Sequence, residues 1–267
     1  MNMGSLKNTI DRAFNKLYVI YITPRLEKTF TSAQGDKIHY LFYPKRRCKT
    51  LAVIFQAYDP AGPRYNYITT LKGIPASRLY IKDDFLQPTG DFYLGKNGTY
   101  SVEAGVHQLI EKTIQSIGAG EDVRLIFIGS SKGGYAAVNF GIAYPNSTMI
   151  VAAPMYYLGT YLHKGAHFNP ALEDIVGAPV TEDKIQKLNE RLPGKVKANP
   201  SGKTQRAYIH CGEKDSNYAF VRNMEADMRD TGMEVAFDIG NYDVHENLKL
   251  TFPKYLTETL EKELRQG

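Results

Sequence analysis

Two cysteines in 267 residues, Cys48 and Cys211, do not make a disulfide framework, and neither lies in a metal-ligand spacing. A reducing cytoplasm is the compartment this usage suggests, with Cys211 expected as a buried thiol at a strand end. No run of 18 or more apolar residues is present, so no transmembrane span is expected. The N-terminus lacks the charged, apolar and small-residue regions of a secretory signal, and the sequons at Asn97 and Asn146 are expected to carry no glycan. Neither an internal repeat nor a low-complexity tract interrupts the chain. Hydrophobic residues at 43% and charged residues at 23% fit one soluble globular domain with a sizeable core and room for an insertion.

The excess of basic over acidic residues is small, at a net +5, but its distribution is uneven. Between Lys184 and Arg206 stand Lys184, Lys187, Arg191, Lys195, Lys197, Lys203 and Arg206 against Glu190 alone. A second cluster, Lys45-Arg46-Arg47 with Lys49, precedes an apolar strand. Such clusters either solvate a surface or attract an anionic partner. Nucleic acid is not the partner expected, because no reader motif accompanies the basic residues.

Along the chain, short apolar runs alternate with helical periodicity. Phe30–Ser32 and Lys37–Tyr43 suggest a hairpin, and Leu51–Phe55 reads as a strand buried on both faces. Arg78–Ile81 is a weaker strand. Apolar residues at Val106, Leu109, Ile110, Ile114 and Ile117 have helical spacing. Further strands are expected at Val123–Ile128, Thr148–Ala153, Arg206–His210 and Glu234–Asp238. A closing helix spans roughly Asn247–Arg265, with Pro253 expected to break or bend its start. Between Pro154 and Thr204 the alternation lapses into prolines, bases and short helical pieces such as Glu182–Arg191.

Strand Val123–Ile128 runs into Gly129-Ser130-Ser131-Lys132-Gly133 and then a helix-like segment. Strand, Gly-x-Ser-x-Gly, helix is the pattern of a nucleophile elbow, which lifts the hydroxyl of Ser131 above a sheet. In a mostly parallel α/β sheet this describes an α/β-hydrolase fold with a cap: residues 1–154 and 204–267 form the core and 155–203 the cap insertion.

A serine hydroxyl needs a base within reach and a group to orient that base, in the chain order Ser, acid, His. Of six histidines only His245 follows the last strand; His39 and His107 come too early, His163 and His167 fall in the insertion, and His210 belongs to a strand. Asp215, in the loop after Arg206–His210, is the first choice for the acid; Glu213 competes, and Asp243 lies too near His245 in sequence. One oxyanion donor should be the amide of Lys132. Position alone suggests Ala57 for the second, with Gln56 and Tyr58 as alternatives. The Lys132 side chain is expected to be exposed, or else to contact a phosphate of the substrate.

Taken together, Gly129 to Gly134, Gly212-Glu213-Lys214-Asp215 and Asp243-Val244-His245 resemble the α/β-hydrolase-type O-acetyltransferases of bacterial capsular polysaccharide, in particular those acting on N-acetylmannosamine-1-phosphate polymers. The resemblance implies acetyl-CoA as co-substrate, no tightly bound cofactor, and an acetyl-serine on Ser131. It implies an anionic capsular polysaccharide as acceptor, with Arg191, Lys195, Lys197 and Tyr58 as candidate substrate contacts. It is compatible with peripheral association with capsule assembly machinery and with a homo-oligomer. The same triad also suits a serine carboxylesterase or deacetylase that uses water as acceptor. A non-catalytic carbohydrate-binding protein on this fold is disfavoured, because all three triad positions are filled.

Overall fold

The structure, a computed structural model, describes residues 23–86, 88–118 and 123–265. Its eight strands are β1 (Lys28–Thr31), β2 (Lys37–Tyr43), β3 (Thr50–Phe55), β4 (Ser77–Ile81), β5 (Arg124–Ser130), β6 (Thr148–Ala152), β7 (Arg206–Gly212) and β8 (Glu234–Gly240). They form one sheet in the order β1-β2-β4-β3-β5-β6-β7-β8, antiparallel at β1–β2 and β2–β4 and parallel from β4 to β8. The described helices are α1 (Thr23–Leu26), α2 (Ser101–Ser116), α3 (Lys132–Gly141), α4 (Leu158–Lys164), α5 (Asn169–Val176), α6 (Glu182–Lys197), α7 (Tyr218–Asp230) and α8 (Leu248–Arg265). This is the α/β-hydrolase fold.

Every residue of β6, and all but the first of β3 and β5, is buried, as continuous apolar runs require when helices cover both faces of a sheet. β8, one of the two edge strands, lacks such a run and exposes Glu234, Ala236, Asp238 and Ile239. Cys211 is fully buried in β7, and burial pushes its thiol up to about 12. After β3 the chain lays β4 on one side and β5 on the other, so the crevice between the carboxyl ends of β3 and β5 is a topological switch point. Ligands of open α/β sheets bind at such crevices.

Two helices run further than their prolines suggest: the piece expected at Glu182–Arg191 extends beyond that range, and Pro253 does not break the closing helix. α6 runs unbroken past Pro193 to Lys197, because Leu188, Leu192 and Val196 on one face are buried and their packing outweighs one lost backbone donor. α8 likewise carries Pro253 within it, and its start is set by a 3-10 turn at His245–Asn247. Between β6 and β7 the segment is therefore largely helical, with α6 packed against α4 and α7.

The basic cluster also differs from what its sequence suggests. Arg191 and Lys195 both bond to Glu103 of α2, and Lys195 donates in addition to Asn139 of α3 at 2.8 Å. Arg191 stacks on the Tyr100 ring, 3.4 Å from its centroid. The Lys184 ammonium donates to the carbonyls of Gly177 and Pro179; Lys187 pairs with Asp183, Lys197 with Asp227, and Arg206 with Glu234 and Glu263. Burial works against ionisation of Glu103, but the Lys195 and Arg191 charges overcome it and hold the carboxyl below its usual range. This contribution to stability is complete above about pH 4.3, the unfolded carboxyl value, and is lost as pH falls through the depressed folded value.

Lys195→Glu should therefore lower the melting temperature. The cost should fall within about 3–5 kcal/mol, the range for breaking a buried pair: Arg191 remains on Glu103, but the new carboxylate faces it. Lys197→Glu, at a side chain 62% exposed, should cost under about 1 kcal/mol. Thermal or urea denaturation of the two variants checks both.

Candidate active site

The elbow forms because two glycines allow a close approach. A Cβ on Gly129 would overlap the Gly133 carbonyl, and one on Gly133 would lie 2.6 Å from the Phe55 carbonyl oxygen and 2.8 Å from that of Gln56. Between them Ser131 takes φ 53° and ψ −119°, a sparsely populated conformation for a residue with a Cβ. Its N–H donates to the Ala152 carbonyl at 2.8 Å, which fixes the turn to the neighbouring strand.

Residues 30 to 114 positions apart meet here. His245 Nε2 is 2.9 Å from Ser131 Oγ, and His245 Nδ1 is 2.9 and 3.0 Å from the two carboxylate oxygens of Asp215. Asp215 is held from its own loop, where Asn217 N–H donates to Oδ1 at 2.9 Å. Asn217 in turn donates to the Ala153 carbonyl and ties the acid loop to the end of β6. Because the carboxylate accepts from Nδ1–H, Nε2 is left without a proton and faces the serine hydroxyl as a base.

The competing residues lie elsewhere. Glu213 is exposed, and Asp243 pairs with Lys214 at 3.2 Å. His210 is buried with both ring nitrogens engaged, Nδ1 to Asp238 at 2.5 Å and Nε2 to Thr251 Oγ1 at 3.0 Å. His39 faces Asp84, and His107 faces the Tyr144 hydroxyl.

On the oxyanion side it is the Lys132 side chain that departs from the sequence expectation. Lys132 opens α3, so its amide belongs to the first turn, where N–H groups have no intrahelical partner. Its side chain is neither exposed nor available to a substrate phosphate. It is fully buried, with the ammonium donating to Asp83 Oδ2 at 3.0 Å and to the Thr89 carbonyl at 2.9 Å. The Gln56 amide is used up by the Tyr93 hydroxyl at 2.8 Å. Ala57 N–H donates to Asn66 Oδ1 at 2.7 Å, so an oxyanion arriving there would replace a side-chain oxygen. Asn66 is only half-buried and can turn away, whereas Tyr93 is buried completely; Ala57 is therefore the more exchangeable of the two.

Tyr67 joins the site without any signal in the sequence. Its hydroxyl lies 2.5 Å from Ser130 Oγ, beside the nucleophile, and burial pushes the phenol up to about 12. Only the return of the 56–67 loop over the elbow brings it there, and no local motif announces that return. Tyr58 packs edge-on to Phe168 at 5.1 Å, and Tyr161 lies 5.1 Å from the same ring. Burial first, then the nearby negative groups Tyr58, Asp215 and Glu246, raise the Tyr161 phenol. Arg191 and Lys195, by contrast, are committed to Glu103, which removes them as free cations for a substrate.

Such a constellation can deprotonate Ser131 as it attacks an electrophile. Asp215→Asn, which no longer enforces the Nδ1–H tautomer, should slow labelling of Ser131 by a fluorophosphonate probe by about 10³–10⁴-fold without unfolding the protein. Rates from gel-based probe capture, with circular dichroism as the folding control, test this.

No family model matches the chain. An accessory Sec system protein of Streptococcus gordonii is 29% identical over 138 residues, 52% of this chain and 26% of that protein. Its namesake in Staphylococcus aureus is 27% identical over 170 residues, 61% of this chain and 31% of its own. The chain thus spans about a quarter to a third of the curated relatives it matches. Among solved structures, the capsule O-acetyltransferase of Neisseria meningitidis serogroup A is similar with a TM-score of 0.66 at 21% identity, over 91% of this chain and 99% of that one. The glycosylation associate protein (Gap123) complex from Streptococcus agalactiae gives 0.73 at 17% identity, over 90% and 46%. An acylaminoacyl peptidase from Pyrococcus horikoshii gives 0.64 at 12% identity, over 90% and 41%. What the chain shares with these solved structures is the α/β-hydrolase fold.

Proposed function

We propose that the protein is a serine-dependent O-acetyltransferase that moves an acetyl group from acetyl-CoA to a sugar hydroxyl of a capsular polysaccharide. The observation that carries this is the continuous hydrogen-bonded series from Asp215 through His245 to Ser131 at the tip of a strained elbow. Support for transfer to sugar comes from the capsule O-acetyltransferase, whose chain is matched along almost its whole length and which has also been solved as a variant with CoA.

In the first half-reaction Ser131 Oγ attacks the thioester carbonyl and passes its proton to His245 Nε2. The tetrahedral oxyanion is met by the Lys132 amide and, once Asn66 turns aside, by that of Ala57. The C–S bond breaks, the imidazolium returns its proton to the departing thiolate, and acetyl-Ser131 remains. In the second, a sugar hydroxyl gives its proton to His245 and attacks the ester; the C–Oγ bond breaks and the proton returns to Ser131. Asp215 stabilises the imidazolium in both halves without itself taking the proton.

Residues 155–203 act as a cap, in which Tyr161 and Phe168 cluster with Tyr58 of the β3 loop. Because Arg191 and Lys195 are neutralised by Glu103 and Lys197 pairs with Asp227, acceptor recognition falls to Tyr58 and Tyr161. Free thiols at Cys48 and Cys211 suit the reducing cytoplasm in which acetyl-CoA is found. Among the described residues no helix is long and apolar enough to cross a membrane.

The second reading is a hydrolase with water as acceptor, favoured by the peptidases of the same fold. Labelled acetyl-CoA, with and without capsule polymer, separates the two. Strong acceptor-dependent CoA release with acetylated sugar supports the transferase. Equal release with no sugar product supports the hydrolase. Ser131→Ala should abolish the covalent acetyl-enzyme and lower turnover by about 10⁶-fold; transfer near the wild-type rate would end the serine mechanism.

A further inference from the structure

A buried charge cluster lies directly behind the elbow. Lys132 and Asp83 are both completely inaccessible to solvent and pair at 3.0 Å, with the ammonium 5.7 and 5.9 Å from the ring centroids of Phe92 and Tyr93. Asp83 does more than neutralise Lys132. Its backbone N–H donates to Gln56 Oε1 at 3.1 Å, and its carbonyl accepts from Gln56 Nε2 at 3.3 Å. Its second carboxylate oxygen accepts from the Asp91 N–H at 3.1 Å. Gln56 is further held by Tyr93, whose hydroxyl accepts from the Gln56 amide and donates to the Ile81 carbonyl.

Asp83 thus bonds both to the elbow and to the β3 loop. The elbow contributes the Lys132 amide; the loop contributes Ala57, which follows Gln56 directly. The space for this pair is built in. Gly90 has φ +74°, and a Cβ there would overlap Asp83 Oδ2 and meet Lys132 Nζ at 2.5 Å. Phe92 and Tyr93, both fully buried, also take positive φ (57° and 61°), so the segment that closes the cluster is strained as the elbow is. Beside the pair Asp91 is buried with neither carboxylate oxygen bonded, and burial followed by the Asp83 charge raises its carboxyl well above the usual range.

Isolated charges do not stay buried without strong compensation, and replacing a buried ion pair by well-packed apolar residues is often neutral or stabilising. We infer that Asp83 is a positioning residue: through Lys132 and Gln56 it sets the separation of the elbow amide from the β3 loop, and so the geometry of the oxyanion site. It touches neither substrate nor the reacting atoms. The inference rests on the proposed serine mechanism but not on the identity of the acceptor, because both half-reactions and the hydrolase alternative pass through the same oxyanion.

The experiment uses 4-nitrophenyl acetate as acyl donor and phenylboronic acid as a tetrahedral mimic whose adduct on Ser131 places an oxygen in the oxyanion site. Asp83→Asn and Lys132→Met are measured against wild type, with thermal melting alongside. Lys132→Met leaves Asp83 free to take up a proton, so it decides the matter if Asp83→Asn does not fold. Expected is a fall of roughly 10- to 100-fold in kcat, with KM within about twofold and boronate affinity weakened in parallel with kcat; losing a donor outright costs about 10²–10³-fold. A double variant, Asp83→Leu with Lys132→Met, should regain melting temperature without regaining rate or boronate affinity.

Either folded single variant with kcat and boronate affinity within about twofold of wild type overturns the inference. So does a double variant whose rate recovers with its stability, since the pair would then be only a piece of core. Ser131→Ala is run in parallel: if it still turns over the ester at the wild-type rate, the serine mechanism itself fails, whatever Asp83 does.

Discussion

The contact of α3 with the end of β3 is the constraint on which the site depends. Gly133 lies so near the Phe55 and Gln56 carbonyls that no side chain fits, and Gly129 lies equally close to Gly133. That proximity presents Ser131 at a positive φ, places the Lys132 amide at the start of a helix, and brings the β3 loop alongside. The cost of the strained turn is met by packing around it. All ten residues of α3 are buried, and Phe55 stacks on Phe140 with ring centroids 5.1 Å apart.

Charge in this protein is organised by the tertiary structure more than by the order of residues. The run from Lys184 to Arg206 contains one acid between its bases, yet its partners Glu103, Asp227, Glu234 and Glu263 come from α2, α7, β8 and α8. An apparent basic patch is therefore in large part paired with acids of other elements, although Lys187, Lys197 and Lys203 remain exposed. Lys132 follows the same rule at greater depth. An ammonium next to the nucleophile suggests a phosphate contact, but burial forces it onto Asp83, because an unpaired ammonium in the core is far costlier than one at the surface.

Much of the architecture was legible from local patterns. The apolar runs of β3, β5 and β6 identify buried parallel strands, since the spacing of branched residues and the lack of polar alternation reflect covering on both faces. Helix ends were less legible: the helix expected to stop at Arg191 runs on to Lys197, and Pro253 does not break α8. For the site, Ser131 was visible because its geometry depends on near neighbours in sequence. Asp215 and His245 were visible because the order of strands restricts where they can stand. Asn66, Tyr67 and Asp83 were not, since each acts through a contact with a residue 9 to 63 positions away and no local motif demands it.

By itself, then, the sequence determined the fold class, the elbow and the three residues around which acyl chemistry can occur, for these follow from periodicity and from chain order in a sheet. Only the tertiary structure decided which charges are free and which are neutralised. It also decided which backbone amides already have partners, and that Asp83 bonds to both Lys132 and Gln56. Pairing energies in a low-dielectric interior depend on distances between atoms far apart in the chain, and spacing along the chain does not encode those distances.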